Sequence, residues 1–272
     1  MKYNFFWLFI FLPTFVFSQG FLAPTPTKTL DTVKLIVTYS FIFSPDSLNP
    51  KNKNEVDVVL FIGSSISLYQ CLNSFNREQF LAGSRNLDEF KQRARQGPTS
   101  TFPTKIFKNY PQGMIITTDR IMQDSFIFRE ELNQFQWEIS NQTTKIGNFK
   151  AQKATVEFGG RSWVAWFTTE IPISDGPHKF NGLPGLILKL YDTRNHFVFD
   201  YNSIKKPEVP LIIELQKLRY IETTKANFRR AREAFRQSVI NETFELITDP
   251  NSRRVAAQNM RRRNNPIELS LE

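Results

Sequence analysis

Apolar and polar residues alternate along the first half of the chain in a way that predicts a series of β-strands. Between residues 31 and 43, every second position is apolar: Val33, Leu35, Val37, Tyr39, Phe41 and Phe43. A two-residue period is typical of a strand with one buried face. Further apolar stretches at 56–62, 65–72 and 104–130, separated by short Gly- or Pro-containing turns, continue the series.

Two polar stretches interrupt this pattern. Residues 73–103 contain Gly83, Gly97 and Pro98 together with two short segments of local helical character. We therefore expect a mobile, partly helical insertion between strands. Residues 140–145 are also polar and are predicted to form a connector.

The clearest hairpin is predicted around the Gly-Gly pair at 159–160. Strands over 154–158 and 161–168 flank this pair, and a two-residue glycine loop suits the primed turns that match strand twist. Trp163 and Trp166 place large apolar side chains on both faces of the returning strand. This strand is therefore predicted to be central and covered on both sides.

A Gly-Leu-Pro-Gly-Leu-Ile stretch at 182–187 follows a turn-rich connection over 169–180. Pro184 sets φ for the second position of a β-turn, and Gly185 is expected to take the positive φ of a type II turn. The strand predicted at 186–191 has one buried face, so a slip of one residue would misplace every leucine in it. The stretch is accordingly interpreted first as a device that fixes strand register.

From Thr224 onward the periodicity becomes helical. One stripe of the predicted helix is apolar: Phe228, Ala231, Phe235 and Val239. The arginines lie away from this stripe: Arg229, Arg230, Arg232 and Arg236. Two interpretations stay open, a helix packed on the sheet with its arginines in water, or a basic amphipathic helix on a membrane or partner. Residues from Ser252 onward are predicted to form a floppy basic tail.

Repeated short strands with tight turns, and no long βαβ alternation, predict a mainly β fold. We expect an antiparallel meander that forms a strongly bent sheet or an open barrel, with a helical insertion and a C-terminal helix. The predicted divisions are a signal peptide at 1–18, a linker at 19–30, the β domain at 31–222, and the basic helix and tail at 223–272.

The N-terminus indicates export. A positive start precedes an apolar run over residues 5–17, which is too short for a membrane span and is followed by residues suited to signal cleavage. A single cysteine, Cys71, cannot form an internal disulfide, so stability must come from a packed core.

The formal net charge of the 272 residues is +9, and residues 217–272 carry twelve Lys or Arg against seven acids. A basic end on an exported protein favours contact with an anionic membrane surface or an acidic partner. Nucleic acid is not an expected partner outside the cytosol.

Candidate chemistry is sparse. His178 and His196 flank the central stretch with aspartates nearby, so a site with two histidines and a carboxylate is one interpretation, and a turn histidine and a strand histidine without metal is the other. Glu170 beside Arg161 is either a catalytic carboxylate or half of a cross-strand ion pair. We expect no cofactor, and an enzyme is the less favoured interpretation.

The stretch at 182–187 resembles the signature of the GLPGLI family of exported proteins from Bacteroidota. Neighbouring residues fit the same resemblance: Arg161, Glu170, Pro172, Gly176, Pro177, Gly182, Leu183, Pro184, Gly185, Leu186 and Ile187. The resemblance implies export to the periplasm of a diderm bacterium. The family has no established activity, so no catalytic residue follows from it.

The favoured functional interpretation is an exported, non-enzymatic periplasmic binding or accessory protein. Its curved sheet would hold an apolar ligand, a peptide or an envelope protein group on residues at the mouth: Trp163, Trp166, Phe180, Leu183 and Pro184. One alternative is an envelope hydrolase or metal-dependent enzyme using Glu170 and Arg161, or His178 and His196. The other is a structural adaptor for an outer-membrane receptor.

Overall fold

The computed structural model describes residues 25–99, 102–242 and 244–270. The predicted signal peptide and residues 19–24 of the predicted linker lie outside the described residues. Among the described helices, none is both long and apolar enough to cross a membrane.

The fold is mainly β, as predicted. The strands are β1 (Thr27–Thr32), β2 (Leu35–Phe43), β3 (Asn54–Ile62), β4 (Ser67–Cys71), β5 (Lys105–Lys108), β6 (Met114–Ile121), β7 (Asp124–Glu131), β8 (Glu138–Ile146), β9 (Phe149–Phe158), β10 (Arg161–Thr168), β11 (Leu186–Asp192), β12 (Phe197–Lys205), β13 (Ile212–Gln216) and β14 (Tyr220–Glu222). The helices are α1 (Leu72–Ala82), α2 (Leu87–Gln96), α3 (Lys225–Ile240) and α4 (Pro250–Arg261).

Twelve strands form one sheet made of two antiparallel meanders. The first runs from β2 to β7 and the second from β8 to β12, and they join side by side where β12 pairs with β2. The short β14 adds to β7 in parallel, and β1 pairs with β13 in a separate two-stranded sheet. The large sheet has two edges, β14 and β8, and does not close on itself.

The connection between β10 and β11, residues 169–185, fills the concave face of this sheet, and we call it the plug. Phe180 and Leu183 in the plug are fully buried in a core built from both meanders. The Tyr39 hydroxyl of β2 donates to the Ile187 carbonyl just beyond the plug, at 2.9 Å. Lys108 of β5 donates to the Gly176 carbonyl at 2.6 Å. Because strands far apart in the sheet contact the same segment, the sheet bends around the plug.

The opposite face of the first meander carries a second apolar cluster. Val59 and Phe61 of β3 belong to it, and Phe75 of α1 and Leu215 of β13 pack against it. The predicted insertion therefore contains the two helices α1 and α2, and α1 covers one side of the sheet.

The predicted glycine hairpin is confirmed. β9 and β10 pair in antiparallel register with Phe158 opposite Arg161. Gly159 and Gly160 both have positive φ, at 60° and 73°, which is the backbone geometry of a type I′ turn. This turn is the end of the hairpin on which the candidate site is built.

The predicted role of Gly185 is wrong in its physical basis. The positive φ falls on Gly182, at 94°, whereas the φ of Gly185 lies outside that region. A Cβ on Gly185 would instead lie 2.0 Å from the carbonyl oxygen of Thr168 at the end of β10. Glycine is needed there because the plug returns against the strand it left, and no side-chain atom fits between the two backbones.

Three segments predicted as irregular are ordered elements. Residues 140–145 lie within β8, an edge strand whose mostly exposed side chains show no apolar alternation. Thr27–Thr32 forms β1, which begins inside the predicted linker and ends two residues beyond it, and the β13 ladder holds it. The tail predicted to be floppy from Ser252 onward contains all but the first two residues of α4, and the residues beyond α4 pack on the protein.

The close approach at Gly185 yields a stability prediction. We expect Gly185→Ala to lower the free energy of unfolding by about 3 kcal/mol or more, because the new methyl group meets rigid backbone. The control is Gly113→Ala, where nothing lies within 4 Å of the new Cβ, so the positive φ of that residue (79°) is the source of strain and the loss should be about 1 kcal/mol. Urea denaturation of both variants measures the difference, and equal losses would contradict the steric argument.

Candidate functional site

Residues 264–270 follow α4 and cross the end of the β9–β10 hairpin, and we call this segment the strap. It forms no helix and no strand, yet its main chain is held closely. Arg161 donates from Nη2 to the Pro266 carbonyl at 2.7 Å and from Nε to the Ile267 carbonyl at 3.0 Å. One guanidinium therefore binds two successive carbonyls of the strap, a use of the rigid fork of donors that arginine alone provides.

The glycine turn binds the next part of the strap. The Gly159 carbonyl accepts from the amides of Leu269 and Ser270, at 2.5 Å and 3.2 Å. A Cβ on Gly159 would lie 3.1 Å from the Glu268 Cα, and one on Gly160 would lie 3.2 Å from the Leu269 Cβ. The two glycines thus serve the turn and also leave the space through which the strap passes.

Asp192 and Phe197 hold the Arg161 side chain in place. Its Nη1 contacts Asp192 Oδ2 at 3.0 Å, and both side chains are only 2% exposed. The guanidinium also lies over the ring of Phe197, 4.6 Å from its centre. Burial lowers the pKa of Arg161 from its usual value and Asp192 offsets this effect, so the group stays charged. Glu170, by contrast, is exposed and accepts from the amide of Lys150, so it does not pair with Arg161.

Glu268 of the strap enters a cluster of alternating charges. Lys179 of the plug lies 2.7 Å from Glu268 and 2.5 Å from Glu130 of β7. Lys225 of α3 lies 3.0 Å from Glu268 and 2.9 Å from Glu130. Two ammonium groups and two carboxylates therefore close a neutral ring at the junction of plug, sheet, helix and strap.

The ring shifts the pKa values of Glu268 and Lys225. Although burial alone would raise the pKa of Glu268, Lys179 and other nearby cations lower it from 4.5 to about 2. Burial opposes the charge of Lys225, but Glu268 and Glu130 raise its pKa above the usual value. His178 beside the ring has its pKa lowered to about 3 by burial and by Lys179, so its imidazole is neutral at physiological pH.

The two histidines occupy different surroundings. The ring of His178 is half-buried against Tyr69, with its Nδ1 buried and without a hydrogen-bond partner among the described residues. His196 lies in the β11–β12 turn, its Nδ1 3.3 Å from the Asn265 amide nitrogen. Within the described ranges, no three His, Cys, Asp or Glu side chains are placed to hold a metal ion.

The residues predicted to line the mouth do not share one surface. Trp163, Phe180 and Leu183 are fully buried core residues, with the Trp163 and Phe180 rings 4.8 Å apart. Trp166 is half-buried and Pro184 is exposed. The chain's own plug thus fills the space in which a ligand of these core side chains would lie.

The arginines of α3 are engaged within the chain. Arg229 donates to the Ser270 carbonyl at 2.6 Å, and Arg232 pairs with Asp119 at 2.7 Å. Arg236 pairs with Glu233, and Arg230 donates to Asn227. Of the apolar stripe, Phe228 and Val239 are buried, with Phe228 packed against β7, whereas Phe235 is half-buried and Ala231 is exposed.

A separate cavity of about 240 Å³ opens between α1 and the sheet. Its lining mixes both charges, including Arg77, Lys105 and Asp119. Lys105 already pairs with Glu78 there, and Asp119 with Thr104 and Arg232.

Comparisons with known proteins bear on the site and the fold separately. Residues 159–189 match the model of a family described as "Protein of unknown function (Porph_ging)". A comparison with curated proteins gives no match. Two solved structures of PNGF-II, in two space groups, superpose with TM-scores of 0.52 and 0.50 at 14% identity, covering 76% of this chain and 34% of each matched chain.

The chain therefore spans about a third of the length of each of these PNGF-II chains, and at this identity the likeness concerns the fold alone. The family match has a more local meaning. It begins at the glycine turn and includes Arg161 and Lys179, which are the residues of the hairpin and plug that hold the strap. This chain is thus similar to that family over the part of the molecule on which the candidate site is built.

Proposed function

We propose that this protein is an exported, non-enzymatic binding or accessory module that holds an extended peptide segment of an envelope partner at the end of its curved sheet. The apolar N-terminal run and the resemblance to the GLPGLI family support export to a periplasm. The peptide form of the proposal is preferred to the apolar-ligand form because the plug occupies the concave apolar face.

One observation carries the proposal: the site binds the strap largely through hydrogen bonds to its main chain. Arg161, Gly159 and Arg229 together bind three carbonyl groups and two amides of the strap at distances of 3.2 Å or less. Main-chain hydrogen bonds supply affinity for an extended peptide, while a few side-chain pockets supply specificity. The strap is therefore the occupant from which the chemistry of a partner segment can be inferred.

The test uses the full chain with the strap displaced. Glu268→Lys places a third ammonium against Lys179 and Lys225, so we expect the strap to leave its site. A fluorescein-labelled, end-blocked peptide of residues 263–270 should then bind with a dissociation constant of about 1–100 µM, measured by fluorescence polarisation. A peptide of the same composition in scrambled order controls for simple charge attraction.

Glu208→Lys is the matched control variant. It makes the same chemical change at an exposed side chain whose nearest cation, Lys205, lies 3.9 Å away. Glu268→Gln, which removes charge without adding any, serves if the reversal prevents folding. Equal binding of the ordered and scrambled peptides to folded Glu268→Lys protein would refute the proposal.

Binding of the same peptide should weaken in acid. The peptide Glu has an ordinary pKa near 4.5 when free and about 2 in the ring, where it faces Lys179, Lys225, Glu130 and His178. A lowered pKa stabilises the bound peptide at pH values above the pKa of the free carboxyl group. This advantage is lost as the pH falls towards 2. We expect binding at pH 3.5 to be about tenfold weaker than at pH 7.

A peptide with Gln in place of Glu should lack this pH dependence, with circular dichroism at each pH verifying that the protein stays folded. Parallel pH profiles for the two peptides would show that the carboxylate is not bound between the lysines.

A further inference from the structure

We infer that the strap is a built-in ligand that occupies the peptide site in the resting protein, and that the site selects acidic segments carrying Asn and Glu three residues apart. This inference rests on the proposed function and adds to it both the chemistry of the partner and a means of keeping the site closed.

The burial pattern of the strap identifies its anchors. Asn265 and Glu268 are 8% and 7% exposed, whereas Pro266 between them and Leu269 after them are exposed. Ile267, also between them, is half-buried and packs against the core. Two buried polar side chains separated by two positions are enough to fix the register of a segment whose main chain is also bound. Specificity should therefore reside in the first and fourth positions of an Asn-x-x-Glu pattern.

The Asn anchor uses both halves of its amide. Its Nδ2 donates to the Ser44 carbonyl at 2.7 Å, and its Oδ1 accepts from Arg161 Nη2 at 2.6 Å. An aspartate would present a carboxylate oxygen to the Ser44 carbonyl and lose the donor. A site built for one donor and one acceptor rejects a group that lacks either, because a buried polar atom is left unpaired.

The Glu anchor completes a charge balance. Without a carboxylate from the segment, Lys179 and Lys225 share Glu130 alone, and the ring carries a net positive charge. Glutamine in this position would keep the shape but leave that charge unbalanced. The site accordingly favours an acidic occupant over a neutral one.

Covalent attachment makes the strap a strong competitor. A tethered segment acts at an effective concentration of the order of millimolar, so a peptide that binds the open site at about 10 µM should bind the resting protein about 100-fold more weakly. A partner would open the site by presenting the same anchors at high local concentration.

The first arm of the test varies the peptide against Glu268→Lys protein. Relative to the 263–270 peptide, replacing its Asn265 by Asp or its Glu268 by Gln should weaken binding at least tenfold at pH 7. Replacing Pro266 or Leu269 by Ala should change it less than threefold. Equal losses at all four positions would overturn the anchor assignment.

The second arm tests closure in the otherwise unaltered full chain. A protease recognition sequence is inserted after Leu246, an exposed residue in the connection between α3 and α4. Uncut protein should bind the labelled peptide at least about 30-fold more weakly than Glu268→Lys protein, and cutting followed by dilution should restore the affinity.

The outcomes separate the two proposals. Equal peptide affinity before and after cutting would overturn the built-in ligand while leaving a peptide site in place. Absence of binding to both Glu268→Lys protein and cut protein would overturn the proposed function itself. The insertion without protease treatment, compared with wild type, shows whether the added residues disturb the strap.

Discussion

The structure depends on the packing of the plug against the concave face of the bent sheet. The contact is tightest where Gly185 passes the Thr168 carbonyl, with room for a hydrogen atom and no more. Leu186 and Ile187 then donate their amides back to the plug carbonyls of Ile171 and Asp175, which fixes the start of β11. Since β11 pairs with both β10 and β12, its start sets the register of the whole second meander.

The plug also explains how charged groups come to lie inside. Lys108 of β5 pairs with Asp175, and Lys179 pairs with Glu130 and Glu268, all at buried side chains. Removing such charges from water is costly, and a buried pair often contributes little net stability compared with apolar packing. These pairs instead fix the position of the plug, because each pair forms only when the plug lies at one place along the sheet. The site at the hairpin end inherits that order, because Lys179 belongs to the plug and Arg161 to the strand before it.

Much of the architecture is visible in the sequence, and the reasons for the exceptions are local. Alternation over β2 and the Gly-Gly turn at 159–160 predict strands and a hairpin, since both are short-range signals. The plug resembles a surface loop in composition because its polar residues, such as Asp175 and Lys179, find partners only through the tertiary fold. β8 has no buried face to create a period, so its residues resemble a connector.

The strap is the hardest feature to predict, and its position shows why the site prefers an acidic occupant. Seven mainly polar residues near a basic helix resemble disorder, and of these Asn265 and Glu268 are buried while Ile267 is half-buried against the core. The groups that bind the strap are of two kinds. Arg161 is paired with Asp192, a contact in which the strap takes no part, and this contact orients the guanidinium. Lys179 and Lys225 instead depend on Glu268 for half of their compensation, so an empty site carries excess positive charge. Arg161 is thus oriented in advance, whereas the positive charge of Lys179 and Lys225 is only partly balanced. Such a site favours binding of an acidic segment, and the chain's own strap meets that requirement.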